Sequence, residues 1–129
     1  HIEKFGTCVC IGGGAGIAPL LPIALALDDA DNRVVSILGG RTQELVILRR
    51  EMEEVSDEIL YTTDDGSFGT KGLVTDALER YIEISGQPEL VVAIGPAIPF
   101  DTIAHMTAAQ LRDHVRKVIV ELAGKRVTD

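Results

Sequence analysis

Cys8-Val9-Cys10-Ile11-Gly12-Gly13-Gly14-Ala15-Gly16-Ile17-Ala18-Pro19-Leu20 is the stretch whose reading decides the fold. Cys8 to Ile11 form a short apolar run without charge. Such a run suits a strand covered on both faces, as in a parallel sheet. Gly12, Gly13, Gly14 and Gly16 follow, four glycines in five positions. Glycine admits positive φ and lets another group come close to the backbone. From Ile17 the pattern turns helical through Leu27, with Pro19 in the first turn, where a missing N–H costs nothing. A glycine turn feeding a helix N-terminus presents free N–H groups at the positive end of the helix dipole. That combination is an anion site, and the usual anion is a phosphate. A tight turn with no ligand is the plain alternative, but it needs fewer glycines than this.

The rest of the chain repeats the alternation. Residues 1–6 read as a lead-in linker, 7–12 as the first strand and about 16–30 as the first helix. Asp28, Asp29, Asp31 and Asn32 make a polar turn, and residues 33–38 a second strand ended by Gly39-Gly40. Thr42 is placed to cap a helix over 43–55, in which Leu45, Leu48, Met52 and Val55 share one face. Residues 58–62 read as a third strand, 63–70 as a glycine-punctuated loop, and 71–85 as a third helix that buries Leu73, Val74, Ala77, Leu78 and Tyr81. Gly86-Gln87-Pro88 stops it. Residues 89–94 are nearly all apolar and read as a central strand. A helix over 101–116 and a fifth strand over 117–122 complete the pattern, and the last seven residues read as a frayed polar tail. Strands and helices alternating at this spacing specify an α/β fold: a single doubly wound, Rossmann-like parallel sheet of about five strands flanked by helices.

Size and charge narrow the function. The 129 residues suffice for one domain with one core. A formal net charge of −8 opposes a nucleic-acid backbone or an anionic membrane surface as partner. No apolar run is long enough to span a membrane, and no signal peptide opens the chain. Cys8 and Cys10 point the same way along one strand, poorly placed for a disulfide and too few for a metal site, so they read as reduced core residues of a cytoplasmic protein. The start at His1, without methionine, suggests a piece of something longer.

In open sheets of this kind ligands bind beyond the carboxyl ends of the strands, near the point where strand order reverses. Loops 12–19, 39–42, 62–69 and 95–99 fall at that edge. Gly12-x-Gly14-x-x-Ile17 matches the dinucleotide fingerprint in part, the third glycine being absent. At the end of the second strand an acidic residue would hydrogen-bond a ribose 2′-hydroxyl and favour NAD; Gly39, Gly40, Arg41 and Thr42 include none. Arg41 is either an adenine- or 2′-phosphate-binding residue or an ordinary solvated arginine, which leaves NAD or NADP open. Asp64-Asp65-Gly66-Ser67 is either a plain turn or a loop bordering a nucleotide, with too few oxygens for a calcium loop. Gly95-Pro96 is either a rigid turn or a place where a flat ring or phosphate comes close. His105 and His114 lie nine apart and His1 is terminal, so no metal-binding signature and no catalytic triad emerges. No catalytic and no metal-ligating residue is assigned.

Over residues 7–100 these strings, taken in order, resemble the NAD(P)-binding domain of the ferredoxin–NADP reductase superfamily. Gly14-x-Gly16-x-x-Pro19 is similar to its pyrophosphate loop. The likeness is nearest to the electron-transfer subunit of dihydroorotate dehydrogenase and to the small subunit of sulfide dehydrogenase or NADH-dependent ferredoxin–NADP oxidoreductase. The strings that carry it are Gly12 to Pro19, Gly39-Gly40-Arg41-Thr42, Thr63-Asp64-Asp65-Gly66-Ser67 with Gly69 and Lys71-Gly72, and Ile94-Gly95-Pro96. The resemblance implies an NAD(P)-binding domain over 7–129, preceded by a flavin-binding β-barrel that holds FAD. It implies cofactor contacts by Gly12, Gly13, Gly14, Ala15, Gly16, Ile17, Ala18 and Pro19, by Gly40, Arg41 and Thr42, by Asp64, Asp65 and Gly66, and by Gly95 and Pro96. It implies hydride exchange between NAD(P)H and FAD, a [2Fe-2S] centre in close relatives, and a catalytic subunit or ferredoxin-like acceptor as partner; a homodimer is left open. The chain departs from the family in four respects. It has no flavin barrel and no C-terminal cysteine cluster, Ile94 stands where many members have cysteine, and 101–129 do not match the family tail. A fragment of an NAD(P)H-dependent flavin oxidoreductase, inactive alone, is the reading these features favour. A non-catalytic nucleotide sensor and a ligand-free assembly domain are the alternatives.

Overall fold

A computed structural model describes residues 4–86 and 88–94, and the backbone of 117–122 and 125–128. Strand β1 (Thr7–Gly13) leads through a 3-10 turn at Gly14–Gly16 into helix α1 (Ile17–Asp29). Strand β2 (Arg33–Gly40), a 3-10 turn (Gln43–Leu45), helix α2 (Arg49–Val55) and strand β3 (Glu58–Thr63) follow. Then come β4 (Thr70–Lys71), α3 (Val74–Ser85), β5 (Leu90–Ile94), β6 (Lys117–Leu122) and β7 (Lys125–Thr128). The sheet order is β4-β3-β2-β1-β5-β6-β7, parallel except for the β6–β7 pair. Its body is the five-stranded parallel sheet read from the sequence, and the order reverses between β1 and β5.

β1 shows why the sheet is doubly covered. Val9 and Ile11 face one side, in a core with Val35, Ile37, Val91, Ala93 and the α3 residues Leu78, Tyr81 and Ile82. Cys8 and Cys10 face the other, with Leu20, Ala24 and Leu27 of α1 and Met52 of α2. Period-two alternation thus serves two apolar faces rather than one. Both cysteines are free and fully buried, as expected for core residues.

At the amino edge, Asn32 joins three segments. Its Oδ1 accepts from the N–H of Phe5 and, at 3.1 Å, of Gly6, and its Nδ2 donates to the Leu27 carbonyl at 3.0 Å. Glu89 accepts from the Thr7 N–H at 2.9 Å, tying the start of β1 to the approach to β5.

Four expectations are corrected. The helix expected over 43–55 breaks. Val46 turns inward to bury against the α1–α2 core, Leu48 takes left-handed φ of 55°, and only Arg49–Val55 is α-helical. Leu45 is therefore about half exposed, off the expected apolar face. The third helix starts at Val74, because Thr70–Lys71 pair with Thr62–Thr63 as β4. Leu73 is consequently exposed, while Thr75 and Ile82 join Leu78 and Tyr81 in burial. Gly39 and Gly40 belong to β2 rather than ending it, paired with Thr62 and Thr63. Finally, Lys125–Thr128 in the expected tail pairs antiparallel with β6; a four-residue edge strand needs only a neighbouring backbone, which local sequence does not announce. The helix expected over 101–116, with His105 and His114, lies outside the described residues, as does His1.

Two outcomes follow from this core. Replacing Asn32 by Ala strands two backbone N–H groups, and urea unfolding is expected to register a loss of about 1–3 kcal/mol. Alkali is expected to destabilise the fold. Burial pushes the Cys8 thiol up to about 12, helped by the Glu89 carboxylate, and the Cys10 thiol likewise, helped by Cys8. Below about pH 8.5 both folded and unfolded thiols stay protonated and the full stability is present. Above it the unfolded chain sheds protons that the folded chain keeps, so stability falls by up to about 1.4 kcal/mol per pH unit per thiol on the way to pH 12. A urea midpoint that stays flat from pH 8 to pH 10.5 would contradict this.

Candidate functional site

Beyond the carboxyl ends of β1, β2 and β3 lies a cavity of about 550 Å³. Its wall combines three groups: Gly13, Gly14 and Ala15 from the first turn; Gly39, Gly40 and Arg41 from the end of β2; and Thr62 and Asp64 from the end of β3. Leu45 and Ile47 close one side, and Gly72, Leu73, Val74 and Thr75 the other.

The glycine turn is built for approach from outside. Gly14 has φ +54°, and a Cβ placed on it would meet no atom within 4 Å. Its left-handed backbone and open flank are what a bound group needs, and any other residue would pay in strain. The turn runs straight into α1, whose first turn holds no acidic residue and no side-chain cap. The positive end of that dipole is therefore uncompensated. Gly12 serves packing instead. A Cβ there would sit 2.9 Å from Leu20 Cδ2 and 3.2 Å from Ile17 Cα, so the missing side chain lets helix and strand close up.

The 63–72 loop is held by its own hydrogen bonds. The Thr63 hydroxyl donates to the Phe68 carbonyl at 2.7 Å, and the Gly72 N–H donates to the Thr63 carbonyl at 3.0 Å. Asp65 accepts from the Ser67 N–H at 2.9 Å, and this bonding to Ser67 holds its carboxyl below the usual range. The Ser67 hydroxyl accepts from the Gln43 N–H at 2.8 Å, joining the loop to the segment after β2. Phe68 lies 4.8 Å from the Tyr61 ring and 4.6 Å under the Arg49 guanidinium. Gly69 has φ +65°, and a Cβ on it would collide with the Tyr61 carbonyl.

Of the residues expected at the site, Gly13, Gly14, Ala15, Gly40, Arg41 and Asp64 meet in the cavity wall. Gly12, Gly16 and Ile17 are buried beneath the turn, and Ala18 and Pro19 are exposed on α1. Thr42 precedes the 3-10 turn, and Asp65 and Gly66 sit within the loop; none of these lines the cavity. Gly95 and Pro96 lie outside the described residues, although β5 delivers Ile94 beside Gly12. The contacts assigned from the sequence left out Gly39, Leu45, Ile47, Thr62, Gly72 and the Leu73–Thr75 segment. The broken helix puts Leu45 and Ile47 there, and the close approach of Gly39 to Val74 brings the start of α3. Among the described residues no group of His, Cys, Asp and Glu could hold a metal ion, and no helix is long and apolar enough to cross a membrane.

Comparison with known proteins agrees with this geometry. The model of the oxidoreductase NAD-binding domain family matches residues 10–105, and the chain belongs to that family. It is 44% identical over 98 residues to a dihydroorotate dehydrogenase B (NAD(+)), electron transfer subunit homolog of Thermotoga maritima, covering 76% of this chain and 34% of that protein. A probable dihydroorotate dehydrogenase B (NAD(+)), electron transfer subunit of Methanopyrus kandleri is 42% identical over 88 residues, covering 68% and 33%. The chain thus spans about a third of the length of these relatives. Among solved structures it is similar to an NADH-dependent reduced ferredoxin-NADP oxidoreductase, with TM-score 0.71 and 37% identity over 93% of this chain and 41% of that one.

The wall has one joint with little room. A Cβ on Gly39 would lie 2.5 Å from Val74 Cγ1 and 2.8 Å from Thr62 Oγ1. Gly39→Ala is expected to cost about 1–3 kcal/mol in urea unfolding, and adding Val74→Ala to recover part of that loss. Equal stability of Gly39→Ala and the parent chain would contradict the contact.

Proposed function

We propose that this chain binds NAD(P)H at the carboxyl edge of its sheet and holds it for hydride exchange with FAD. In this reading FAD sits in a separate β-barrel domain of the same longer protein, residues 1–6 lead from that domain, and 7–129 form the nucleotide half. Electrons then pass to an iron–sulfur centre or other acceptor in a partner subunit or a ferredoxin-like protein. The observation that carries the reading is the open left-handed Gly14, at an uncompensated helix N-terminus, inside one cavity with the ends of β2 and β3. The relatives' greater length and their designation as electron transfer subunits support the wider arrangement.

The dinucleotide, when bound, supplies the hydride; the chain supplies position and electrostatics. The N–H groups that open α1 donate to the pyrophosphate, which nears the backbone because Gly14 has no side chain. Leu45, Ile47, Leu73 and Val74 give the adenosine half an apolar surface, and Arg41 and Asp64 give it polar partners. Donor and acceptor must be held in near-attack geometry, so the chain without its flavin domain binds nucleotide but does not turn over.

Titration of the 129-residue chain with NADH, followed by nicotinamide fluorescence, is expected to give a saturable Kd of about 10–1000 μM. Gly14→Val is expected to weaken it by about tenfold or more, one strong contact being worth about 1.4 kcal/mol, with the far-UV circular dichroism unchanged. Undiminished affinity in a folded Gly14→Val chain would overturn the proposal.

A further inference from the structure

We propose that Phe68 is a positioning residue of the nucleotide site: its ring, clasped by Tyr61 and Arg49 outside the cavity, fixes the loop that joins the cavity's two apolar jaws. The inference rests on the nucleotide-binding reading above. One jaw is Leu45 with Ile47, between β2 and α2; the other is Leu73 with Val74, at the start of α3. Neither lies on a strand, and the 63–72 loop links them. At the root of the first jaw the Gln43 N–H donates to the Ser67 hydroxyl at 2.8 Å. At the root of the second the Gly72 N–H donates to the Thr63 carbonyl at 3.0 Å.

Between those bonds one side chain anchors the loop. Residues 64–67, 69 and 70 are exposed, and Phe68 alone is half-buried. Its backbone is held by Thr63, whose hydroxyl accepts from the Phe68 N–H at 3.2 Å and donates to the Phe68 carbonyl at 2.7 Å. Its ring lies 4.8 Å from the Tyr61 ring, the planes 55° apart, and the Arg49 guanidinium stands 4.6 Å from its centre. Arg49 opens α2 directly after the left-handed Leu48, two residues beyond Ile47. The ring therefore ties the loop both to β3 and to the helix that follows the first jaw. Phe68, Tyr61 and Arg49 line a separate cleft with Leu48 and do not line the cavity, so their effect on a nucleotide passes through the loop. A loop released from the clasp samples arrangements in which the jaws are not joined. The apparent Kd then rises as the inverse of the fraction of chains with the site assembled. A partly exposed cation–π contact and a tilted aromatic pair are each strong enough to move that fraction severalfold.

The test compares the 129-residue parent chain with Phe68→Leu, Phe68→Tyr and Arg49→Met, and with Asn32→Ala, which is weakened at the opposite edge of the sheet. NADH is titrated by fluorescence and 5′-AMP by calorimetry, and urea unfolding checks each fold. Phe68→Leu is expected to weaken both probes by about fivefold, and Arg49→Met by about twofold to threefold. Arg49→Met is read in about 0.5 M salt, where a charge lost outside the cavity is screened. Phe68→Tyr keeps the ring and is expected to bind as the parent does. Asn32→Ala is expected to lose stability and keep its affinity. Deuterium uptake over 63–72 is expected to quicken in Phe68→Leu and to slow again when NADH saturates the chain. Parent affinity in a folded Phe68→Leu chain would overturn the assignment while leaving nucleotide binding standing. So would a Phe68→Tyr chain as weak as Phe68→Leu, or an equal loss of affinity in Asn32→Ala. Should Phe68→Leu fail to fold, unchanged affinity in Arg49→Met overturns the assignment in its place. A parent that binds neither probe would overturn the nucleotide-binding reading and this inference with it.

Discussion

β1 is clamped from four directions, and the site depends on that. It is hydrogen-bonded to β2 on one side and β5 on the other over nearly its whole length. It is buried beneath α3 on one face and α1 and α2 on the other. A strand so held cannot shift register without turning every side chain to the wrong face. Its last residues therefore sit at a fixed height, and the chain must leave the sheet there and reverse into α1. Gly12 allows that reversal, because Leu20 and Ile17 occupy the space a side chain would need. The tightness of this joint places the next glycine, Gly14, on the outer side of the turn with nothing over it. Packing at one glycine and access at another, two residues on, are consequences of a single constraint.

That constraint was legible because it is local. The apolar run, the glycine cluster and the helical pattern after it fall within thirteen residues, and each step has a conformational reason. The alternation that follows was legible for the same reason, as were the stop at Gly86, which has positive φ, and the apolar β5 between β1 and β6. What escaped reading was decided between elements. The spacing of Leu45, Leu48, Met52 and Val55 fits a helix, yet burial of Val46 against α1 outweighed it and left Leu48 left-handed. β4 exists because Thr70 and Lys71 find the exposed end of β3, and β7 because β6 offers a free edge. Neither pairing has a periodic signature. The cavity's apolar side walls, Leu45 with Ile47 and Leu73 with Val74, come from the broken second helix and the late start of α3, so the apolar part of the wall was missed where the elements were misread.

The chain's electrostatics also divide by distance. A formal charge of −8 describes the molecule seen from afar. At physiological salt exposed charges are screened beyond about 8 Å, so an anion at the α1 N-terminus responds chiefly to what lies within a turn or two of it. There the count is different: no acid in the first turn of α1, and in the cavity wall one arginine against one aspartate. An acidic protein can therefore keep a helix N-terminus with no acid in its first turn, its carboxylates standing elsewhere.

Carboxylates that do approach the site are sorted by what else they bond. Asp76 accepts from the Leu73 N–H at 3.0 Å and caps α3. Asp65 closes the turn to Ser67. Each of these is consumed by the scaffold: its lone pairs face backbone donors, and its removal would be felt first as lost loop order. Asp64 stands between Thr63, whose hydroxyl bridges the loop, and Asp65, whose carboxylate shapes it, yet itself contributes only backbone to both. Its side chain is superfluous to the loop that positions it. Among the described residues of the cavity wall, Asp64 is thus the carboxylate that the loop positions without using.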